Sequence, residues 1–396
     1  MKKRLLSIGI LIIIVMMAGC SSADSYYKDG KKSFEKGDLD KAIESFASAI
    51  EQNPNRADYH IDYSLALIAQ GKYEEAFVQL DQAYSEKDML IVRENNKKVF
   101  RAKGIAYFLM QQDEKAIEEF NKALEIKELD SLDMDILYYM ADAMYGVGRY
   151  EEAVAAYTTI IENKKQPAQA YAKRASCYKQ LKEDNKSLED YNKAISLDSK
   201  NYEYHFGKYY LLADYGDEKG ALEAISEALE ITAATSEDNY NVAKFHFLQG
   251  NYKDARTELE EAYGNGFLEA YYYIGESYRL EKDYTKAIYY YDLYLKSGEL
   301  ITAKVYNQMA ICKLKQNNAA EALEFIEKGL ALKEAPTIQV LQRNEIVAYE
   351  NLGKFEEADI RLAKYQVNYP GDKEAIREAL FIDSRLITAV NQLNME

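Results

Sequence analysis

The sequence contains few of the residues that mark a cross-linked, fibrous or disordered protein. Its 396 residues include only 4 prolines, 19 glycines and 3 cysteines. These low counts exclude a disulfide-rich scaffold, a collagen-like repeat and a proline-rich disordered chain. Basic residues are also in deficit, with 50 Lys and Arg against 66 Asp and Glu, which gives a formal net charge of -16. Because this charge repels phosphate backbones, we do not expect nucleic acid as a partner.

The first residues have the layout of an export signal. Lys2, Lys3 and Arg4 precede an uncharged apolar run from residue 5 to residue 18. At about 1.5 Å per residue, this run makes a helix of about 21 Å, which is short against a hydrocarbon core of about 30 Å. We therefore predict a cleaved signal peptide over residues 1–19, with an uncleaved membrane anchor as the alternative.

The end of that run is similar to the lipobox of bacterial lipoproteins. Ala18 and Gly19 stand directly before Cys20, although Met17 occupies a position where leucine is usual. The resemblance implies that the Cys20 thiol carries an acyl chain such as palmitate, and that residues 20–25 form a short linker. It also implies a protein anchored to a bacterial membrane on its extracytoplasmic face. Since the body of the protein is acidic, we expect membrane contact through the lipid anchor only.

One pattern recurs along the rest of the chain: a small residue, followed four positions later by a large one. The small residues are Ala42, Ala76, Ala116, Ala153, Ser187, Ala221, Ala255, Ala287, Ala322 and Ala358. The large residues are Phe46, Leu80, Phe120, Tyr157, Tyr191, Ile225, Leu259, Tyr291, Ile326 and Leu362. Glycine often stands five positions before the small residue, as expected where one helix ends in a left-handed residue before the next begins. Each unit is therefore predicted to be a pair of closely approaching helices.

These units resemble the tetratricopeptide repeat, a pair of helices of about 34 residues. The first unit carries the pattern in Tyr26, Gly30, Gly37, Leu39, Ala42, Phe46, Ala49 and Pro54. The resemblance implies an all-α solenoid, a right-handed superhelix of about ten repeats over residues 26–372. Residues 373–396 are predicted to form a capping helix. Two longer spacings place extra residues near 86–94 and 127–133.

No motif for catalysis, cofactor binding or metal binding stands out in the sequence. A glycine-rich phosphate loop, a His-Glu-x-x-His helix and a Gly-x-Ser-x-Gly elbow are all missing. His60, His205 and His246 occupy aromatic slots of the repeat, so we interpret them as packing residues. The acidic run over residues 128–135 lacks the central glycine and final glutamate of a calcium loop, so we interpret it as a solvated linker. We expect no enzymatic activity, cofactor or metal.

Aromatic residues outside the small and large slots are the candidates for binding. In the family that the chain resembles, the first helix of each unit lines a concave groove. The aromatics at or next to groove positions are Tyr27, Phe34, Phe108, Tyr138, Tyr145, Phe206, Tyr210, Tyr240, Phe247 and Tyr272. Such side chains suit peptide recognition and also stacking on sugar rings. The alternative for any one of them is packing against the next unit. We expect alanine at Phe206, Tyr240 and Phe247 to weaken partner binding with little effect on stability.

The sequence therefore favours a non-catalytic, lipid-anchored scaffold whose groove binds a protein or peptide of the cell envelope. A cell-wall carbohydrate-binding protein that uses the same aromatics is the alternative. Binding to purified glycan with no protein partner would favour that alternative.

Overall fold

The computed structural model describes residues 22–163, 167–298 and 301–393, without the side chains of residues 336 and 387–393. All regular secondary structure in these residues is helical, as the sequence predicts. The predicted signal peptide over residues 1–19 and the predicted lipid site, Cys20, lie outside the described residues. Within the described part of the chain, no helix has both the length and the apolar character needed to cross a bilayer.

The helices alternate between a first and a second helix of each repeat. The first helices are α1 (Ser22–Glu35), α3 (Ala57–Ala69), α5 (Leu90–Leu109), α7 (Asp133–Gly146), α9 (Pro167–Gln180), α11 (Tyr202–Tyr215), α13 (Ser236–Leu248), α15 (Ala270–Leu280), α17 (Ala303–Lys315) and α19 (Ala335–Asn351). The second helices are α2 (Leu39–Gln52), α4 (Tyr73–Ala83), α6 (Asp113–Glu125), α8 (Tyr150–Glu162), α10 (Asp184–Leu197), α12 (Glu218–Leu229), α14 (Tyr252–Gly264), α16 (Tyr284–Lys296), α18 (Ala319–Ala331) and α20 (Phe355–Asn368). A further helix, α21, spans Lys373–Leu393. Because α1 begins at Ser22, residues 22–25 are helical rather than part of the predicted linker.

The chain divides into two compact units. One unit ends at Ala224 and the other begins at Ile225, so the boundary falls within α12. In the first unit, α3 packs against α2 and α4, and it also contacts the neighbouring first helices α1 and α5. In the second unit, α19 packs in the same way against α18, α20 and the first helix α17.

The small and large residues of the repeat form the core of each pair of helices. The small residues are at most 4% exposed and the large residues at most 5% exposed, which confirms the predicted repeat. In three repeats a glycine of the first helix faces the large ring of the second. A Cβ atom would lie 2.7 Å from the Phe46 ring at Gly30 and 2.4 Å from the Phe120 ring at Gly104. Only glycine therefore allows these helices to approach so closely.

The turn between the paired helices contains a left-handed residue in all ten repeats. Six of these residues are the predicted glycines, with φ between 68° and 87°. The other four are Gln111, Lys182, Lys282 and Asn317, with φ between 58° and 67°. The turn geometry therefore persists where the sequence supplies a residue with a Cβ atom, for which the left-handed region is strained.

The acidic run is not a solvated linker, because it pairs with the cations of α5. This helix has 20 residues, and its first turns contain part of the insertion predicted near residues 86–94. The ion pairs are Arg93–Glu128 at 2.6 Å, Lys97–Asp133 at 2.5 Å and Arg101–Asp135 at 2.5 Å. The three cations are four residues apart and therefore share one face of the helix. The Lys97 side chain is fully buried, and its Nζ also donates to the Ile126 carbonyl at 2.8 Å.

Candidate peptide-binding groove

The first helices of the first four repeats enclose an apolar cavity. Its volume is about 30 Å³. The residues that line it are Phe34 from α1, Leu65, Ile68 and Ala69 from α3, Arg101 and Ile105 from α5, and Tyr139 from α7. Four consecutive first helices of one unit therefore contribute to a single apolar depression.

Helical spacing explains why these residues share the cavity. Leu65, Ile68 and Ala69 are separated by three and four positions, and Arg101 and Ile105 by four, so each set lies on one face of its helix. Among the lining residues, Ile68 and Ile105 are buried, each 3% exposed. Ala69 is exposed, and its short side chain leaves that part of the rim open.

Polar groups of the first helices are held by partners on neighbouring first helices, and one of them, Arg101, lines the cavity. Arg101 Nε donates to Asp135 Oδ2 at 2.5 Å, which fixes the guanidinium at the rim. The Tyr27 hydroxyl donates to Asp62 Oδ2 at 2.5 Å. Burial raises the pKa of Asp62, and the hydrogen bond from Tyr27 and the charge of Lys31 oppose that rise. The groove therefore presents apolar surface beside fixed charges of both signs.

Comparison with known families identifies the repeat. Models described as tetratricopeptide repeat match residues 33–88, 102–128, 135–163, 168–201 and 246–299. Together these segments cover about half of the chain. The chain belongs to the tetratricopeptide repeat family.

Two curated relatives match this chain over part of their own length. The chain is 29% identical over 199 residues to the Hsp70-Hsp90 organizing protein of Triticum aestivum. This match covers 43% of this chain and 34% of that protein. It is 26% identical over 286 residues to the TPR repeat-containing protein MJ1428 of Methanocaldococcus jannaschii. This second match covers 70% of this chain and 44% of that protein. The chain therefore spans between a third and a half of the length of these relatives.

A solved structure supports the fold. Yeast Tom70 superimposes on this chain with a TM-score of 0.50 at 17% identity. The superposition covers 93% of this chain and 89% of the Tom70 chain. At this level of identity the likeness shows the fold alone.

Of the predicted groove aromatics, Phe34 lines the cavity, whereas Tyr27 is not among its lining residues. The Tyr27 ring stacks on Tyr59 with the centroids 4.5 Å apart. Tyr210 is the most accessible of the predicted residues, at 43% exposed, and its ring meets Tyr209 edge-on at 5.1 Å.

Three predicted groove residues are core residues instead. Phe108 is 5% exposed, and Phe206 and Tyr240 are each 7% exposed. The Tyr240 ring stacks on Phe267 at 4.8 Å, and its hydroxyl donates to Glu269 at 3.2 Å. Because these rings fill space between helices, we now expect alanine at Phe206 or Tyr240 to lower stability, in contrast to the expectation from the sequence.

The remaining predicted residues are half-buried and pack against other rings. The contacts between ring centroids are Tyr138–Tyr157 at 5.9 Å, Tyr145–Tyr150 at 5.4 Å, Phe247–Tyr273 at 5.5 Å and Tyr272–Tyr291 at 6.0 Å. In addition, Lys304 Nζ lies 4.8 Å from the centroid of the Tyr272 ring. These rings therefore offer a partner only part of their surface.

The histidines make structural hydrogen bonds. His60 Nε2 lies 2.9 Å from the Pro54 carbonyl oxygen, and Nδ1 lies 2.7 Å from Gln79 Oε1. His246 Nδ1 lies 2.7 Å from Glu258 Oε2. Over residues 22–163, 167–298 and 301–393, no three His, Cys, Asp or Glu side chains are grouped closely enough to hold a metal ion.

The sequence prediction missed most of the cavity because it considered aromatic residues only. Leu65, Ile68 and Ile105 are aliphatic, and Ala69 is small. Their signal in the sequence is spacing: on α3, Ile68 and Ala69 follow Leu65 by three and four positions, outside the small and large slots. A search for apolar residues of any kind on the groove face would have included them.

Proposed function

We propose that the chain is a non-catalytic scaffold that binds an extended peptide segment of a partner protein across the first helices of its first unit. A small apolar side chain of the peptide enters the cavity. The observation that carries this proposal is the convergence of α1, α3, α5 and α7 on one open apolar depression. The ion-paired Arg101 at the rim is placed to contact polar groups of the bound backbone.

A peptide suits this groove better than a glycan does. Stacking on sugar requires rings whose faces are accessible. Among the predicted aromatics only Tyr210 is exposed, and most of the others pack against neighbouring rings. The cavity wall instead contains Leu65, Ile68 and Ile105, which suit an aliphatic side chain.

A scaffolding role agrees with the relatives that the chain resembles. The name of the Hsp70-Hsp90 organizing protein states that it organises two other proteins. The match covers 34% of that protein, so its partners are not transferred to this chain. For this chain we propose a partner in the cell envelope.

The proposed location rests on the sequence around Cys20. We propose that Cys20 is acylated and holds the protein on the extracytoplasmic face of a bacterial membrane. Replacing Cys20 by alanine should release the protein from the membrane fraction and abolish its labelling by an alkyne-tagged fatty acid. Membrane retention of the unlabelled variant would instead indicate an uncleaved helix.

The groove is tested by blocking the cavity at its open rim. Peptides selected from a displayed library on the full chain are measured against Ala69→Arg, whose long charged side chain would occupy the cavity. The affinity should fall at least about tenfold, a loss of about 1.4 kcal/mol, with an unchanged melting temperature. The matched control is Ala155→Arg, because Ala155 is an exposed alanine on α8 and should leave the affinity unchanged.

Two results would contradict the peptide proposal. Equal affinity of both variants for the selected peptides would place binding outside the cavity. Failure to select any peptide, together with binding on a glycan array, would favour the carbohydrate-binding alternative.

A further inference from the structure

Helix α21 continues the register of α19. The pairs of residues 34 positions apart are Leu341 and Ala375, Ile346 and Leu380, and Ala348 and Ile382. In α19 all three residues are at most 1% exposed. In α21, Ala375 and Ile382 are fully buried, whereas Leu380 is 69% exposed. The face of α19 that carries Ile346 is therefore covered, whereas the equivalent face of α21, which carries Leu380, is uncovered.

The helix that covers this face in the tenth repeat is α20. Ala358 and Leu362 of α20 share a core cluster with Ile346. Arg361 Nε donates to Glu345 Oε1 at 2.6 Å, and the Arg361 guanidinium lies 4.3 Å from the centroid of the Tyr349 ring. The structure thus shows what chemistry covers the face: a second helix with apolar residues and one arginine.

Helix α21 docks on α20 through its other face. Ala375 and Ile382 belong to the same core cluster as Leu362, and Gln366 Nε2 donates to the Ala375 carbonyl at 3.2 Å. This docking leaves a second face, which we call the open face and define by Ile376, Leu380 and Asp383. Ile376 is 53% exposed, and Asp383 is also exposed.

We propose that the open face binds an amphipathic helix of a partner protein, placed as α20 is placed on α19. Apolar residues of that helix cover Ile376 and Leu380, and a basic residue lies opposite Asp383. The partner helix extends the α19–α20 packing by one further layer. The carboxylate of Asp383 provides the negative charge that pairs with its basic residue. It is independent of the groove proposal, because it concerns another surface.

A partner helix fits the open face better than a second copy of the chain does. The second helices of a second copy are already packed within their own repeats. Its α21 carries the same exposed Ile376, Leu380 and Asp383, so two copies would meet through this helix. Dimerisation through α21 is therefore the competing outcome of the test.

The experiment uses the sequence of α20 as the probe. A labelled peptide of residues 354–370 is titrated into the full chain, and binding is followed by fluorescence anisotropy. Leu380→Arg should weaken binding at least about tenfold, because it removes apolar contact and adds charge. Leu380 is largely exposed, so the variant should fold with an unchanged melting temperature. The control is Val78→Arg, because Val78 is 57% exposed on α4 and should have no effect.

The charge pairing is tested by reversal. A peptide with Arg361→Glu should bind about threefold more weakly, and Asp383→Arg in the full chain should restore its affinity. Absence of saturable binding, or binding that is insensitive to Leu380→Arg, would overturn the proposal. So would sedimentation data that show a dimer of the full chain lost in Leu380→Arg.

Discussion

In the unit that ends at Ala224, four first helices leave an apolar cavity between them, whereas in the unit that begins at Ile225 the ring of Tyr240, on the first helix α13, packs among other rings. Phe34 and Tyr139 stand at the walls of the cavity among aliphatic and small residues. In the second unit, Tyr240 stacks on Phe267 at 4.8 Å and meets Tyr273 at 6.4 Å.

The difference shows that an aromatic residue on a first helix does not by itself mark a binding surface. A ring that packs against several other rings has little surface left for a partner to contact. A ring beside a small residue such as Ala69 leaves room for a visiting side chain. The neighbours of an aromatic residue therefore decide whether it is core or binding surface.

The largest effect on stability is expected when a buried ring of the second unit is removed. Tyr240→Ala should lower the free energy of unfolding by about 3 kcal/mol, because it removes a buried ring and leaves a cavity between the helices. Urea unfolding followed by circular dichroism measures this loss. The matched control is Tyr289→Ala, since Tyr289 is 58% exposed and its loss should cost no more than about 0.5 kcal/mol. Equal effects of the two variants would remove the contrast between filled and open faces.

The stability of the second unit should also depend on pH through Glu350, and this effect should be smaller. Burial, with the nearby Glu378 carboxylate, raises the pKa of Glu350 to about 7. A carboxyl group whose pKa rises on folding stabilises the fold below its unfolded pKa, and this stabilisation is lost as the pH rises through 7. Because Glu350 is partly exposed, the loss should amount to about 1 kcal/mol.

The comparison variant is Glu350→Gln, which cannot lose a proton. Urea unfolding at pH 5.5 and pH 8 should show a larger decline for the wild type than for Glu350→Gln. A decline of the same size in both proteins would show that other groups set the pH dependence.

The smallest effect should be the same in both units, because it comes from the backbone of the turn. Lys182 and Lys282 adopt φ of 61° and 67°, a region in which glycine carries no steric penalty. Lys182→Gly and Lys282→Gly should each stabilise the protein by about 0.5–1 kcal/mol in urea unfolding, after the greater freedom of glycine in the unfolded chain is deducted. A loss of stability in either variant would show that its side chain makes contacts that outweigh the backbone strain.

The repeat could be predicted from the sequence because its signal is local. The small and large residues lie four positions apart on one helix, and their burial follows from the fixed geometry of that helix. The left-handed turn was predicted where glycine marks it and was missed at Gln111, Lys182, Lys282 and Asn317. Asparagine tolerates this conformation, whereas at Gln111, Lys182 and Lys282 the packing of the two flanking helices imposes a conformation that the residue itself does not favour.

The candidate site was harder to predict because it depends on contacts between repeats. The cavity combines side chains that lie more than thirty positions apart, such as Phe34, Ile68 and Ile105. Likewise, the acidic residues after α6 were interpreted as solvated, because their partners Arg93 and Lys97 precede them by about one repeat. Spacing within a helix reveals which face a residue occupies, but the residue it meets on the next helix is fixed only by the stacked structure.

The most direct test of the peptide groove is photocrosslinking from inside the cavity in living cells. p-Benzoylphenylalanine placed at Phe34, on the cavity wall, should crosslink to a defined segment of one envelope protein. The same amino acid at Tyr289, an exposed position on α16, should not. A protein crosslink at Phe34 alone would support the account, and no crosslink at Phe34, or the same crosslinks at both positions, would contradict it.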